Sequence, residues 1–453
     1  MHTLWDRFFN EETGIGTALT TIVYHKPYQE TYRFLQSSQW WSQQQITTYQ
    51  WDQLKALLLH AYQNVPYYTS LFDNLGIKPD DLSSIHDIQK IPFLTKELVQ
   101  KHLNELKATT YKPSQFEYTL TGGSTGFPLH FYVEKGAWYA RHLAYIRTLL
   151  ERADCHTFDP SVLITGAAKP MEYRPFSKTL VISSFTLTTD NLDRYIKKMN
   201  QLKPRYIMGY PSALTILATY MKQQHITLDC IKAIFCYGET IYDWQRDYLE
   251  DVFHCSIHGQ YGHREQSVLA GTCEKSTMYH MFPEYGYMEL IDAEGKPVTT
   301  EGAHGEIVAT GFHTGIFPFI RYKTGDIGVY TAQPCPCGRH YPLLKSIEGR
   351  LQDYVQSKTN RLVPFMGIHH LVAAASENVK ECQLYQDHAG DIVVRIIRSD
   401  AYTNDDDQRI QQSFSQRFGD EFTITLTFVE SIPRTSRGKY PFLIQKLPIS
   451  LSP

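Results

Sequence analysis

The sequence predicts an α/β protein. A large N-terminal body of several subdomains, α/β sheets plus a β sub-barrel, carries a small C-terminal α+β lid domain. Three observations predict it. Strand-like and helix-like segments alternate from 137 to 350, shorter strands with glycine turns crowd 286–329, and the last stretch, about 100 residues, has a pattern of its own.

In chain order, residues 1–110 read as mostly helical. Leu54, Leu57, Leu58 and Ala61 recur at helical spacing, and Pro66 cannot continue that helix. Around 115–135 the pattern becomes strand–loop–strand, with Phe116–Leu120 as the first strand. Ser161–Ile164, Tyr206–Met208 and Ile231–Cys236 read as strands followed by helices, which implies a parallel component. Glycine and short polar residues at 349–353 suit a hinge, dividing a large body at 1–349 from a lid at 350–453. Within the lid, Val363–Val372, the alternating strand Ile392–Ile397, the polar helix 405–418 and the strand Thr423–Phe428 make up an α+β pattern.

Composition excludes several classes of function. With 42% hydrophobic and 20% charged residues and a net charge of −3, the 453-residue chain is globular, without the basic field that nucleic acid or an anionic membrane attracts. No apolar run is long enough to span a bilayer, and the first residues lack the basic start and apolar core of a signal peptide. A cytoplasmic protein is expected, with no nucleic-acid partner and no membrane insertion; a homodimer is left open. Eight cysteines in so long a chain are no disulfide framework, so free thiols or metal ligands are expected.

Five short patterns carry chemistry. The loop Thr121, Gly122, Gly123, Ser124, Thr125, Gly126 follows a strand and lacks bulky side chains, so its N–H groups and hydroxyls can close around phosphate oxygens. Taken singly it also reads as a hairpin connection. In Tyr261-Gly-His-Arg-Glu265, Gly262 lets the backbone approach a planar ligand and the Glu265 carboxylate can hold Mg²⁺; a strand end with a surface Glu fits equally. In Arg321-Tyr-Lys-Thr-Gly-Asp326 the Asp326 carboxylate can accept both ribose hydroxyls, or the segment is a plain Gly-Asp turn. In the hinge, Arg350 can reach ribose or phosphate. In Pro433-Arg-Thr-Ser-Arg-Gly-Lys439, Lys439 can swing an ammonium onto developing negative charge, or is a solvated basic loop.

Together, in this order, these segments resemble the adenylate-forming superfamily of acyl-CoA ligases. The resemblance covers nearly the whole chain: the phosphate loop at Thr121–Pro128, Tyr-Gly-x-x-Glu at Tyr261–Glu265, Tyr-x-Thr-Gly-Asp at Tyr322–Asp326, the hinge at Gly349–Asp353 and Pro-Arg-Thr-x-x-Gly-Lys at Pro433–Lys439. Leu54–Tyr67 ahead of Pro92–Lys96, together with Gly209–Ser212 and Tyr237–Glu239, is similar to the phenylacetate–CoA ligase group, including CapK-like proteins of polysaccharide gene clusters. Two departures stand out: Leu120-Thr-Gly-Gly opens the phosphate loop where Thr-Ser-Gly or Ser-Ser-Gly is usual, and Gln352 occupies the hinge position where Asp or Lys is common.

The resemblance implies ATP-dependent formation of an acyl-AMP followed by transfer to coenzyme A. Lys439 and Glu265 would be catalytic, the latter through Mg²⁺. Nucleotide would be held by the 121–126 loop, Gly238, Glu239, Thr240, Tyr261, Gly262, Asp326 and Arg350. Phe131, Tyr132, Trp138, Tyr210, Tyr237 and Gln260 would line the acyl pocket, and their aromatic rings favour an aryl or compact acid. A carrier-protein thiol, or a sugar hydroxyl or amine in surface polysaccharide assembly, is the alternative acceptor.

Cys335-Pro-Cys337, with Cys273 and His280 upstream, can complete a closed zinc shell; Cys255, His258 and His263 are alternative ligands by spacing alone. The similar order of Cys, His and Cys-x-Cys in the phenylacetate–CoA ligase-like group favours Cys273, His280, Cys335 and Cys337 around a structural Zn²⁺.

Overall fold

A computed structural model describes residues 25–120 and 129–350 and, toward the C-terminus, 354–359, 362–364, 372, 375, 376, 378–434 and 441–447. Three helices open it: α1 (His25–Ser38), α2 (Gln43–Asn64) and α3 (Pro66–Leu75). Ser42 caps α2 by accepting from Gln45 N, and α2 buries Leu54, Leu57, Leu58 and Ala61. α2 ends at Asn64, where Val65 turns extended ahead of Pro66, and Pro66 opens α3 at a position where its missing N–H costs no bond. The short α4 (Lys96–Lys101) leads to an antiparallel hairpin of β1 (Phe116–Leu120) and β2 (His130–Glu134), followed by α5 (Ala137–Glu151). The apolar faces of α2 and α3 pack with β2 and 316–322 into one core containing Leu54, Phe72, Phe131 and Phe319.

The centre is doubly wound. Strands β3 (Ser161–Thr165), β4 (Met171–Arg174) and β5 (Thr179–Ser183) precede α6 (Thr189–Leu202), β6 (Tyr206–Gly209), α7 (Pro211–Gln223), β7 (Ala233–Tyr237), α8 (Asp243–Phe253) and β8 (Ser256–Gly262). β5, β3, β6, β7 and β8 lie parallel in that spatial order. Chain order reverses at β3, so a crevice opens outside the carboxyl ends of β3 and β6, where α/β sheets bind ligands. Apart from β8, their side chains are apolar almost without alternation, as strands covered on both faces require.

The antiparallel strands follow: β9 (Leu269–Cys273), β10 (Ser276–Met281), β11 (Gly286–Ile291), β12 (His304–Gly311), β13 (Tyr322–Tyr330) and β14 (Leu343–Arg350). The segment read from the sequence as a sub-barrel is hydrogen-bonded through β14, β10 and β9 onto β8. The result is a single twelve-stranded sheet in the order β11-β12-β13-β14-β10-β9-β8-β7-β6-β3-β5-β4.

The small C-terminal domain contains a two-stranded ladder of β15 (Tyr354–Gln356) and β16 (Leu362–Pro364). Beside it lies a four-stranded sheet of β17 (Val379–His388), β18 (Asp391–Arg398), β19 (Thr423–Phe428) and β20 (Leu443–Gln445), with α9 (Asn404–Phe418). Leu384, Val394, Ile396, Ile410 and Phe414 form its core. No helix among the described residues is long and apolar enough to cross a membrane.

Candidate active site

The site grows from the end of β8. Beyond Gly262 the chain leaves the sheet, and Tyr261 Oη donates to Asp326 Oδ2 on β13 at 2.8 Å, joining two motifs 65 residues apart. Gly325, at φ +75°, takes a left-handed turn that glycine alone adopts without strain; its N–H donates to Glu306 Oε1 (3.2 Å), which fixes the segment ahead of Asp326. Asp326 stands opposite Arg350 in the β13–β14 register.

Glu265 is buried. Tyr322 Oη donates to its Oε1 (3.3 Å), and His263 Nδ1 lies 3.1 Å from its Oε2. It borders a cavity of about 220 Å³ also lined by Phe131, Tyr132, Arg141, Gln266 and His313. A carboxylate facing a polar cavity suits a hard divalent cation. Segment 121–128, expected from its sequence to bind phosphate, lies outside the described residues, but the strands flanking it are tied to this point: Arg264 Nε donates to Thr119 Oγ1 (3.2 Å), and its guanidinium lies 6.0 Å from the Trp138 ring.

The crevice at the switch point gathers another set. Tyr210 and Tyr237 have ring centroids 5.2 Å apart. Tyr237 Oη donates to Ile164 O (3.3 Å), Tyr210 Oη lies 3.4 Å from Thr165 Oγ1, and Gln260 sits beside Tyr237 in the β7–β8 register. Gly238 turns the chain at φ +75° toward Thr240, and Glu239 accepts from both Ser212 N and Ser212 Oγ at 3.0 Å, capping α7.

The six expected acyl-pocket residues therefore fall into two groups. Tyr210, Tyr237 and Gln260 meet at the crevice. Phe131, 1% exposed, packs on Phe319 at 5.4 Å, Tyr132 packs on Phe116 at 5.3 Å, and Trp138 Nε1 donates to Glu117 at 3.1 Å. Lys439, Gln352 and Asp353 lie outside the described residues. Next to them, Arg434 donates to Glu381 (3.0 Å) and Tyr354 to Glu348 (3.0 Å). Sequence reasoning passed over Thr165, and over Arg264 and His263 as partners of Thr119 and Glu265. Thr165 ends a strand at the switch point, the one signal that marked it.

A second cluster lies on β9, β10 and the 335–339 turn. The donor atoms of Cys273, His280, Cys335 and Cys337 all fall within 4.8 Å of one another. Cys273 Sγ is 3.5 Å from Cys335 Sγ, and His280 Nε2 is 3.3 Å from Cys337 Sγ. His280 Nδ1 lies 3.2 Å from Met278 O, a hydrogen bond that turns Nε2 toward the thiols. Burial pushes the His280 pKa down to about 3, so the imidazole is neutral as a ligand must be. Of the other ligands spacing allowed, His258 stacks on Phe235 (5.2 Å) and His263 faces Glu265.

Comparison with known proteins decides the family. The phenylacetate–coenzyme A ligase of Escherichia coli is 41% identical over 304 residues, 62% of this chain and 67% of that protein. The chain belongs to the AMP-forming acyl-CoA ligases of the phenylacetate–CoA ligase group. Within this adenylate-forming family, protein CapK of Staphylococcus aureus is 27% identical over 404 residues (85% of this chain, 86% of that protein). The family model CapK C-terminal domain matches residues 355–446. At the level of fold, 2-hydroxyisobutyryl-CoA ligase in its postadenylation state superposes with a TM-score of 0.71 at 18% identity, covering 87% of this chain and 88% of that one. The same ligase in its thioesterification state scores 0.58.

Proposed function

We propose that the chain activates a compact or aryl carboxylic acid with ATP as acyl-AMP and then transfers the acyl group to coenzyme A. The Tyr261–Asp326 hydrogen bond, formed within the segment that also buries Glu265, carries this reading, because it joins the family's two nucleotide motifs at one point. Asp326 would take the ribose hydroxyls with Arg350 opposite it, and Tyr261 with the 238–240 turn would flank adenine. The acid would enter the crevice at Tyr210, Tyr237 and Gln260, where aromatic faces and hydroxyls meet.

In the first step the acid's carboxylate oxygen attacks the α-phosphorus and pyrophosphate leaves. Both reactants are anionic, so amides of 122–126 and the Lys439 ammonium would lower a barrier that is largely Coulombic. Glu265 would hold Mg²⁺, which supplies further neutralisation of phosphate charge. In the second step the thiolate sulfur attacks the acyl carbonyl and AMP leaves. Lys439 must first withdraw, by rotation of a domain hinged at 350–353.

The cluster of three cysteines and one histidine would hold a structural Zn²⁺. Four donors of the right chemistry converge and no fifth acidic or histidine donor joins them among the described residues, so the shell closes without an open position. Transfer to a carrier-protein thiol or to a sugar hydroxyl or amine is a second reading, favoured by the CapK match over 355–446.

ATP–pyrophosphate exchange across aryl, short aliphatic and amino acids tests the first step, and coenzyme A consumption with the active acid separates the acceptors. No exchange with any acid overturns the reading. Lys439→Ala is expected to lower exchange by on the order of 100-fold while sparing thioester formation from preformed acyl-AMP.

A further inference from the structure

Arg152, at the carboxyl end of α5, is buried to 6% exposure. Its Nη1 donates to Gly271 O (3.4 Å) and Thr272 O (3.3 Å), but Nε and Nη2 have no hydrogen-bond partner among the described residues, and no ion pair reaches it there. The faces of Phe282 and Tyr341, 4.9 and 5.8 Å from the guanidinium carbon, recover only part of the hydration it lost. A cation buried in this way calls for a nearby negative charge.

The two carbonyls it grips immediately precede Cys273, and Gly271 stands opposite His280 in the β9–β10 register. Arg152 therefore braces the strand pair that carries two of the four metal donors. Three thiolates, a neutral imidazole and a divalent ion sum to one negative charge. Arg339, the other guanidinium at the cluster, is already ion-paired with Glu274 at 3.0 Å.

We propose that Arg152 is the counter-ion of a monoanionic metal–thiolate centre formed by Cys273, His280, Cys335 and Cys337, its charge balanced by the loaded centre and not by a carboxylate. The assignment rests on the zinc site described above. Two carboxylates compete: Glu274, which also acts on Arg152 but is ion-paired with Arg339, and Glu284, which is fully buried. Its Oε1 accepts from Ser38 Oγ and Tyr341 Oη (2.7 Å), and its Oε2 has no partner among the described residues. Burial raises the pKa of Glu284, which favours the neutral acid. With Oε1 already taken up by two hydroxyls and burial working against its charge, Glu284 is the weaker partner for Arg152 than the metal centre.

Metal analysis of the purified full chain tests the zinc site: one zinc per chain is expected, and its absence overturns the site and the counter-ion together. Stripping of zinc by a coloured chelator, followed with time, tests Arg152 separately. Arg152→Met is expected to release zinc roughly 10-fold faster or more, Arg152→Lys to restore most of the retention, and Glu284→Gln to strip at the wild-type rate. Melting curves of the zinc-loaded and zinc-stripped proteins supply a readout that packing alone would not produce: Arg152→Met lowers the melting temperature of the loaded form more than that of the stripped form. Equal losses in both forms, wild-type stripping by Arg152→Met, or a Glu284→Gln variant that sheds zinc like Arg152→Met would each overturn the counter-ion assignment. If the Met variant does not fold, Arg152→Gln, which keeps a polar side chain but no charge, carries the same comparison.

Discussion

His258 shows how burial at one residue sets a pH response. It lies under Phe235 with its Nε2 2.9 Å from Ser256 Oγ, and desolvation, with Arg246 and Arg152 nearby, lowers its pKa to about 4. Unfolded, it protonates near its ordinary value of 6.5. Between those values the unfolded state binds more protons, so stability falls as pH drops from 6.5 toward 4, by about 3 kcal/mol in all. His258→Gln is expected to flatten that part of the pH dependence; urea melts of both proteins at pH 7 and pH 4.5 check it, and parallel losses would contradict it. The same residue illustrates what a sequence leaves open. By spacing, His258 is as good a zinc ligand as His280; which one turns its ring toward the thiols depends on the strand face each occupies.

At the scale of elements, the approach of β11 and β12 to the backbone after Glu265 positions the site. Gly286 and Gly311 face each other across the two strands. A Cβ on Gly286 would stand 2.4 Å from Ser267 O and 2.5 Å from Thr310 O; one on Gly311 would stand 2.6 Å from Gln266 O. The two bare positions let the 265–267 segment run close over the strand pair. Gly286→Ala is expected to cost about 1–3 kcal/mol through backbone displacement and to raise the Mg²⁺ concentration needed for half-maximal exchange, because Glu265 moves with that segment. A thermal melt and a Mg²⁺ titration check the two effects. The elements were largely legible beforehand: β1, β3, β6, β18, β19 and α9 match their sequence patterns closely, since alternation and helical spacing are local properties. The joining of β9 to β14 with the parallel strands was not legible, because no local pattern encodes which antiparallel edge meets β8.

Across the whole molecule, the small domain rests on the turn that opens α8. Tyr242, 7% exposed, shares a buried cluster with Val355, Cys382 and Phe414, and its ring lies 6.0 Å from that of Phe442, three residues after Lys439. Trp244 packs against the same cluster. Tyr242→Ala is expected to loosen this arrangement, giving a larger radius in small-angle scattering and weaker pyrophosphate exchange, while acyl transfer from preformed acyl-AMP is spared; Tyr242→Phe is expected to behave as wild type. Equal loss in both half-reactions would argue against a positioning role.

The sequence by itself determined the family motifs and their order, and set a Cys-x-Cys turn among several candidate histidines and cysteines, because glycine spacing and such a turn are chemistry written within a few residues. Tertiary structure alone decided that Tyr261 reaches Asp326, that Cys273 meets Cys335 from 62 residues away, that the expected acyl-pocket residues divide between the region beside the Glu265 cavity and the switch-point crevice, and that Arg152 is buried near Cys273. Those outcomes depend on strand register and on which faces pack together. Both are settled by burying apolar surface along the whole chain, a long-range quantity that no short pattern contains.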